Sequence, residues 1–284
     1  MIDGTSVKPS REDKMLQTAT QTRTETHGKF IWCELMTSDT QAAGRFYADV
    51  IGWSRSEMPM GEGQPYYIFQ IGEGDGCPGI GGMMILPAHL AGHMPPNWSG
   101  YVAVDDVDAT AEEIQENGGT IHRPAEDIPG VGRFAVVADP DGAVINIMTP
   151  LPMDDMPPPP AKGSPGTVAW YELYAADVEQ ASSFYGRMFG WTKDHDFDMG
   201  EMGPYRIFAE RGEAIGGMMK RPQGVPVPCW VYYFNVDGID AALDKVRQGG
   251  GTVLMDASKV PGGSWAAQCL DPQGALFGLV SVRR

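Results

Sequence analysis

Along residues 29–37, KFIWCELMT, aromatic and β-favouring residues follow one another without a turn signal and predict a strand. The next stretch, SDTQAAGRFYADVIG at 38–52, changes period. Asp39 can cap a helix start, Phe46 and Val50 fall four apart on one helical face, and Gly52 stops the run. Strand-like pieces follow around 66–71 and 80–85, divided by glycine-rich turns. The order then restarts, with a strand in YVAVDDV from 101, a helix in DATAEEIQENGG from 108, and strands near 120–122, 133–138 and 143–149. A strand, a helix and several further strands are thus written twice within the first 150 residues.

The whole plan is then written again. FIWCELMTSDTQAAGRFYADVIGW at 30–53 aligns with VAWYELYAADVEQASSFYGRMFGW at 168–191, every pair 138 positions apart. PYYIF (65–69) answers PYRIF (204–208), and IGGMM occurs at 80–84 and at 215–219. WSGYVAVDDVDA (98–109) answers WVYYFNVDGIDA (230–241), and ADPDGAVINIM (138–148) answers LDPQGALFGLV (270–280), now 132 apart. Loops absorb small insertions at little cost, which accounts for the drift, so the chain is a tandem duplication. Between the copies lies TPLPMDDMPPPPAKGSPG (149–166), whose prolines forbid helix and sheet ladders. The expected division is a disordered leader at 1–27, a first domain at 28–150, a Pro-rich linker at 151–165 and a second domain at 166–284.

Composition narrows the function. The net charge of −16 argues against nucleic acid and anionic membrane surfaces as partners. No apolar run approaches the roughly 18 residues of a membrane span, and the polar N-terminus lacks a secretory core. The four cysteines share no metal-type spacing and read as reduced thiols of a cytoplasmic protein. His89 and His93 are four apart, but the prolines and glycine of PAHLAGHMPPNW place them in a loop.

The helix with its Phe-Tyr pair and Gly-Trp ending, the DDVDATAEEIQENGGT helix and the strands after DPDG and DPQG, in order and twice, carry a resemblance. The chain resembles the vicinal oxygen chelate superfamily, which includes glyoxalase I, bleomycin resistance proteins and extradiol dioxygenases, over residues 28–150 and 166–283. W-x-E-L and IGGMM are similar to the actinobacterial "antigen/putative hydroxylase" branch of duplicated glyoxalase-like proteins. The resemblance implies an α+β fold of four βαβββ units forming two open-barrel domains, each around a cleft. It also implies that the second copy supplies the partner which shorter, dimerising relatives borrow from another chain. Monomer and homodimer both stay open.

Metal-dependent relatives hold a divalent ion through His, Gln and Glu. The resemblance puts Trp32 and Trp170 at the first ligand position, Tyr101 and Tyr233 near the second, and Asn146 and Gly278 at the last. Indole offers only an N–H donor, so no cofactor and no metal ligands are predicted, although a divalent metal held elsewhere stays open. Glu34 and Glu172 each stand two residues beyond a tryptophan and so share its strand face. If that face lines the cleft, burial raises the carboxyl pKa and suits a catalytic acid or base. The competing expectation is a structural carboxylate satisfied by tyrosine, arginine or backbone N–H.

The expected ligand-binding cleft comprises Trp32, Tyr66, Tyr101 and Asn146 in one half and Trp170, Tyr205 and Tyr233 in the other, with Tyr67, Trp98, Trp230 and Tyr232 as further lining aromatics. The reading is binding of a small organic molecule, with metal-independent acid/base transformation. Its alternatives are a metal-dependent lyase or dioxygenase, and a non-catalytic protein that sequesters a drug or metabolite.

Overall fold

The computed structural model describes residues 23–58, 65–74, 76–152 and 157–284. The first strand, β1 (Phe30–Thr37), feeds helix α1 (Thr40–Ile51), whose start is held by Asp39 Oδ1 accepting from the Gln41 and Ala42 amides at 3.0 and 2.9 Å. Gly52 ends it with φ 92°, a left-handed conformation that a side chain would strain. Three strands complete the unit: β2 (Ser54–Met58), β3 (Tyr66–Gln70) and β4 (Gly79–Ile85). The second unit repeats it as β5 (Asn97–Ala103), α2 (Val107–Glu116), β6 (Thr120–Ile128), β7 (Gly132–Ala138) and β8 (Val144–Pro150). The other half runs β9 (Val168–Ala175), α3 (Val178–Phe189), β10 (Thr192–Asp198), β11 (Pro204–Glu210) and β12 (Glu213–Lys220), then β13 (Cys229–Asn235), α4 (Ile239–Gln248), β14 (Thr252–Lys259), β15 (Trp265–Leu270) and β16 (Leu276–Ser281). The strands β2 and β10 had no counterpart in the sequence reading, because SRSEM and TKDHDFD are polar edge strands without an apolar period.

Each half is one eight-stranded sheet, ordered β2-β3-β4-β1-β5-β8-β7-β6 and β10-β11-β12-β9-β13-β16-β15-β14. The two orders are the same, so the halves share a topology: α+β, with four βαβββ units and sheets that curl without closing. In both sheets the first strands of the two units pair antiparallel at the centre, β1 with β5 and β9 with β13.

The units pair within a half and never across halves, among the described strands. What joins the halves is the core. The sheets meet back to back through the faces opposite Glu34 and Glu172, with Phe30 stacked on Tyr171 at 3.8 Å. At Gly100 a Cβ would lie 2.7 Å from the Tyr232 ring, so the interface requires glycine there. A single apolar cluster runs through both halves, from Leu35, Phe46 and Tyr47 to Tyr185, Trp191 and Leu279. Its polar ties are reciprocal. Tyr47 donates to Asp271 Oδ2 and Tyr185 donates to Asp139 Oδ2, each at 3.1 Å. Trp53 and Trp191 donate to the Gly166 and Gly28 carbonyls of the other half, at 2.9 and 2.7 Å. The second copy therefore completes the core of the first.

Of the stretch expected as a leader at 1–27, residues 23–27 are described. Thr24 donates through its amide to Asp105, and His27, 8% exposed, bonds through Nε2 to the Met188 carbonyl at 3.0 Å. Residues 1–22, like 153–156 of the connector, lie outside the described residues.

Candidate functional site

Strand alternation sends Trp32, Glu34 and Met36 of β1 to one face and Cys33 and Leu35 to the other. Helix side chains such as Phe46 and Tyr47 pack behind the second face, and on the first Glu34 is 8%, Tyr101 6% and Asn146 4% exposed. That face, opposite the shared core, is the one expected to line the first half's cleft. Tyr66 of β3 crosses to Glu34 because Gly82 of the adjoining β4 has no side chain. A Cβ there would lie 1.7 Å from the Tyr66 hydroxyl. Gly217 makes the same room for the Tyr205 ring, with a contact of 2.3 Å. The second glycine of each IGGMM is thus a seat for the tyrosine of PYYIF and PYRIF.

In the first cleft, Trp32 Nε1 donates to the Tyr66 hydroxyl at 3.0 Å, and the Tyr101 hydroxyl donates to Glu34 Oε1 at 3.3 Å. Tyr66 stands beside Glu34 without a direct bond of good geometry. Asn146 Nδ2 donates to Ser99 Oγ at 2.8 Å and to the Gly100 carbonyl at 3.2 Å. Burial pushes the Glu34 carboxyl above its ordinary value, an effect partly opposed by the Tyr66 and Tyr101 hydroxyls and the Arg123 guanidinium. Burial and the Glu34 charge together hold both tyrosines protonated well past their usual range.

In the second cleft, Trp170 Nε1 donates to the Tyr205 hydroxyl at 2.9 Å. Tyr205 donates to Glu172 Oε2 and Tyr233 to Glu172 Oε1, both at 2.8 Å. Gln268 Nε2 lies 3.2 Å from Glu172 Oε1 and 2.5 Å from the hydroxyls of both Tyr174 and Tyr233. Burial again raises the carboxyl, against the pull of Tyr205, Tyr233 and Tyr174.

The seven residues named from the sequence, with both glutamates, stand on the sheet faces opposite the shared core. Tyr67, Trp98, Trp230 and Tyr232 do not. They occupy strand positions of the opposite parity and pack in the central core, where Trp98 and Trp230 donate to the Tyr47 and Tyr185 hydroxyls at 2.9 and 3.3 Å. Tyr174 escaped the sequence reading although it stands two residues beyond Glu172, a signal that alternation supplied. Gln268 carried no such signal, because its place depends on the pairing of β15 with β16.

The positions where the resemblance puts metal ligands do not fit a divalent cation. Trp32 and Trp170 present indole N–H groups already donated to tyrosines. Asn146 directs its amide nitrogen, not its oxygen, into bonds with Ser99 and Gly100. At Gly278 a Cβ would lie 2.0 Å from the Tyr233 ring, so that tyrosine fills the space a ligand carboxylate needs. No group of three or more His, Cys, Asp or Glu side chains converges among the described residues. His89, His93, His122 and His195 are exposed.

Linkage gives the raised carboxyls a pH signature. A carboxyl with a folded-state pKa above its unfolded value stabilises the fold below the unfolded pKa and loses that contribution as pH rises through the folded one. For Glu172 the window therefore opens near 4.5 and extends upward. The melting temperature of Glu172→Gln, taken relative to wild type, is expected to climb as pH is raised from 4.5. A flat difference across that window would show that burial does not raise this carboxyl.

With this fold and these clefts, the chain belongs to the Glyoxalase/Bleomycin resistance protein/Dioxygenase superfamily, whose family model matches residues 29–147 and 167–279. It is 32% identical over 250 residues to the protein named "Putative glyoxylase CFP32" of Mycobacterium tuberculosis (strain CDC 1551 / Oshkosh), covering 88% of this chain and 93% of that one. It is 28% identical over 260 residues to the anthracycline biosynthesis protein DnrV of Streptomyces peucetius, covering 89% and 92%. Among solved structures, the Mn(II)-bound glyoxalase from Novosphingobium aromaticivorans superposes with a TM-score of 0.61 at 12% identity, covering 91% of this chain and 83% of its own. The 2,2',3-trihydroxybiphenyl 1,2-dioxygenase of Sphingomonas wittichii strain RW1 gives 0.63 at 14%, covering 90% of each chain. At such identities the structural likeness is one of fold. No helix among the described residues is long and apolar enough to cross a membrane.

Proposed function

We propose that the protein binds a small organic molecule in an aromatic cleft and moves a proton on it with a glutamate, without a metal. The observation that carries this reading is a buried carboxyl raised above its ordinary value beside protonated tyrosine hydroxyls and an indole. A carboxyl of that kind can take a proton from a carbon next to a carbonyl, or from a hydroxyl, and return it. Tyr66 and Tyr101, or Tyr205 and Tyr233, would donate to the oxygen on which charge develops. The aromatic wall supplies apolar area and the few polar groups set orientation. Function on this fold has to be argued from such groups, since the superfamily carries several chemistries.

The test starts from native mass spectrometry of freshly purified protein, which identifies a co-purified small molecule. Glu34→Gln keeps the shape and removes the ionisable group. It is expected to lower binding or turnover of that molecule at least about tenfold, about 1.4 kcal/mol, with the fold intact. A molecule that is bound tightly and always recovered unchanged favours sequestration instead. About one transition-metal ion per chain by elemental analysis, with activity lost to a chelator, would overturn the metal-free reading in favour of a lyase or dioxygenase.

A further inference from the structure

The two clefts are copies in sequence but differ in how their carboxyls are satisfied. Both oxygens of Glu172 accept hydrogen bonds, from Tyr205, Tyr233 and Gln268. Glu34 accepts one bond of good geometry, at 3.3 Å from Tyr101, with the Tyr66 hydroxyl standing beside it. The cause lies in two substitutions between the copies. Tyr174 of β9 stands where the first half has Met36, and Gln268 of β15 stands where it has Val136. Tyr174 and Gln268 bond to each other and close a ring of polar groups around Glu172. Met36 and Val136 have no hydrogen-bonding groups to offer Glu34, and Val136 packs with Trp32, Tyr101 and Phe134 as apolar wall.

We propose that the duplication has divided the labour: Glu34 is the reactive carboxyl, facing an apolar ligand that presents a hydroxyl or an acidic C–H to it, while Glu172 is a locked, structural copy. The assignment rests on the small-molecule reading above and narrows it to one cleft. A buried carboxylate with fewer donors keeps accepting capacity, so a ligand donor at Glu34 gains what the second cleft already has internally. Exposure does not separate the two glutamates, at 8% and 6%, so saturation by hydrogen bonds is the distinguishing variable.

The experiment uses the full chain and the apolar carboxyl reagent N,N′-dicyclohexylcarbodiimide, with peptide mass mapping of the products. The carboxyl oxygen adds to the central carbon while its proton passes to a carbodiimide nitrogen. Migration of the acyl group to nitrogen then leaves a stable N-acylurea, with nothing lost. Glu34 is expected to label at least tenfold faster than Glu172. The exchange M36Y/V136Q should slow Glu34 to the rate of Glu172, and Y174M/Q268V should speed Glu172 towards that of Glu34. Equal rates in the wild type, faster labelling of Glu172, or either exchange leaving the rates unchanged in a folded protein would overturn the division. Because the reagent is not the natural ligand, selective labelling of Glu34 together with unimpaired ligand binding and turnover by Glu34→Gln would retain the inequivalence and sink the catalytic reading alone.

Discussion

Tyr185→Ala is expected to destabilise the whole protein by about 3–5 kcal/mol, the range for removing a large buried aromatic. The Tyr185 side chain is 0% exposed and packs against Trp191 and Trp230 at centroid distances of 5.4 and 5.3 Å. Its hydroxyl donates to Asp139, a residue of the other half that is itself 3% exposed. Truncation opens a cavity and strips Asp139 of a side-chain donor while the carboxyl stays buried, two costs that add. Because the apolar cluster runs through both halves, the loss should appear in both at once. Urea unfolding followed by tryptophan fluorescence and by far-ultraviolet dichroism should give one coincident transition, moved to lower denaturant. Two separated transitions, with only one of them shifted, would mean that the halves are independent domains and that the shared core does not couple them.

Gly278→Glu carries the second large effect, and it bears on the chemistry. This substitution installs a carboxylate where the resemblance to metal-dependent relatives calls for one. The Tyr233 ring already occupies that volume, with Cδ1 2.0 Å from the place of a Cβ, on the strand directly paired with Gly278. Overpacking of this order costs about 1–3 kcal/mol, and a second buried carboxyl beside Glu172 costs several more unless it stays protonated. The expected result is a loss of more than about 3 kcal/mol by thermal or urea unfolding, with no gain of Mn or Zn affinity by calorimetry. Gly278→Ala should show the steric part by itself. A stable Gly278→Glu protein that binds one divalent ion per chain would show that Tyr233 yields easily, and that the cleft is a metal site lacking only its ligand.

Much of this was legible in the chain before any coordinates. The duplicated blocks carry the element order, because strand and helix periods, the Asp39 and Asp177 caps and the stopping glycines act over a few residues. Alternation within β1 and β9 placed Trp32 with Glu34 and Trp170 with Glu172 for the same local reason. The donor chemistry at Trp32 and Trp170 was equally readable, since that of an indole does not depend on its surroundings.

The misplaced residues share one property: their role is set by a partner distant in sequence. Trp98 and Tyr101 both read as cleft aromatics, but they lie three positions apart in one strand and so face opposite ways. The burial of Trp98 depends on Tyr47, 51 residues earlier. Gln268 reaches Glu172 across 96 residues through strand register, which no local pattern encodes.

The sequence by itself therefore determined the units, their duplication and the residue types on each strand face, because backbone preference and side-chain alternation are short-range. The tertiary structure alone decided which sheet faces meet, that the halves share a core, and which glutamate accepts the fuller set of hydrogen bonds. Those outcomes depend on packing and hydrogen bonds between segments that the chain brings together only when it folds.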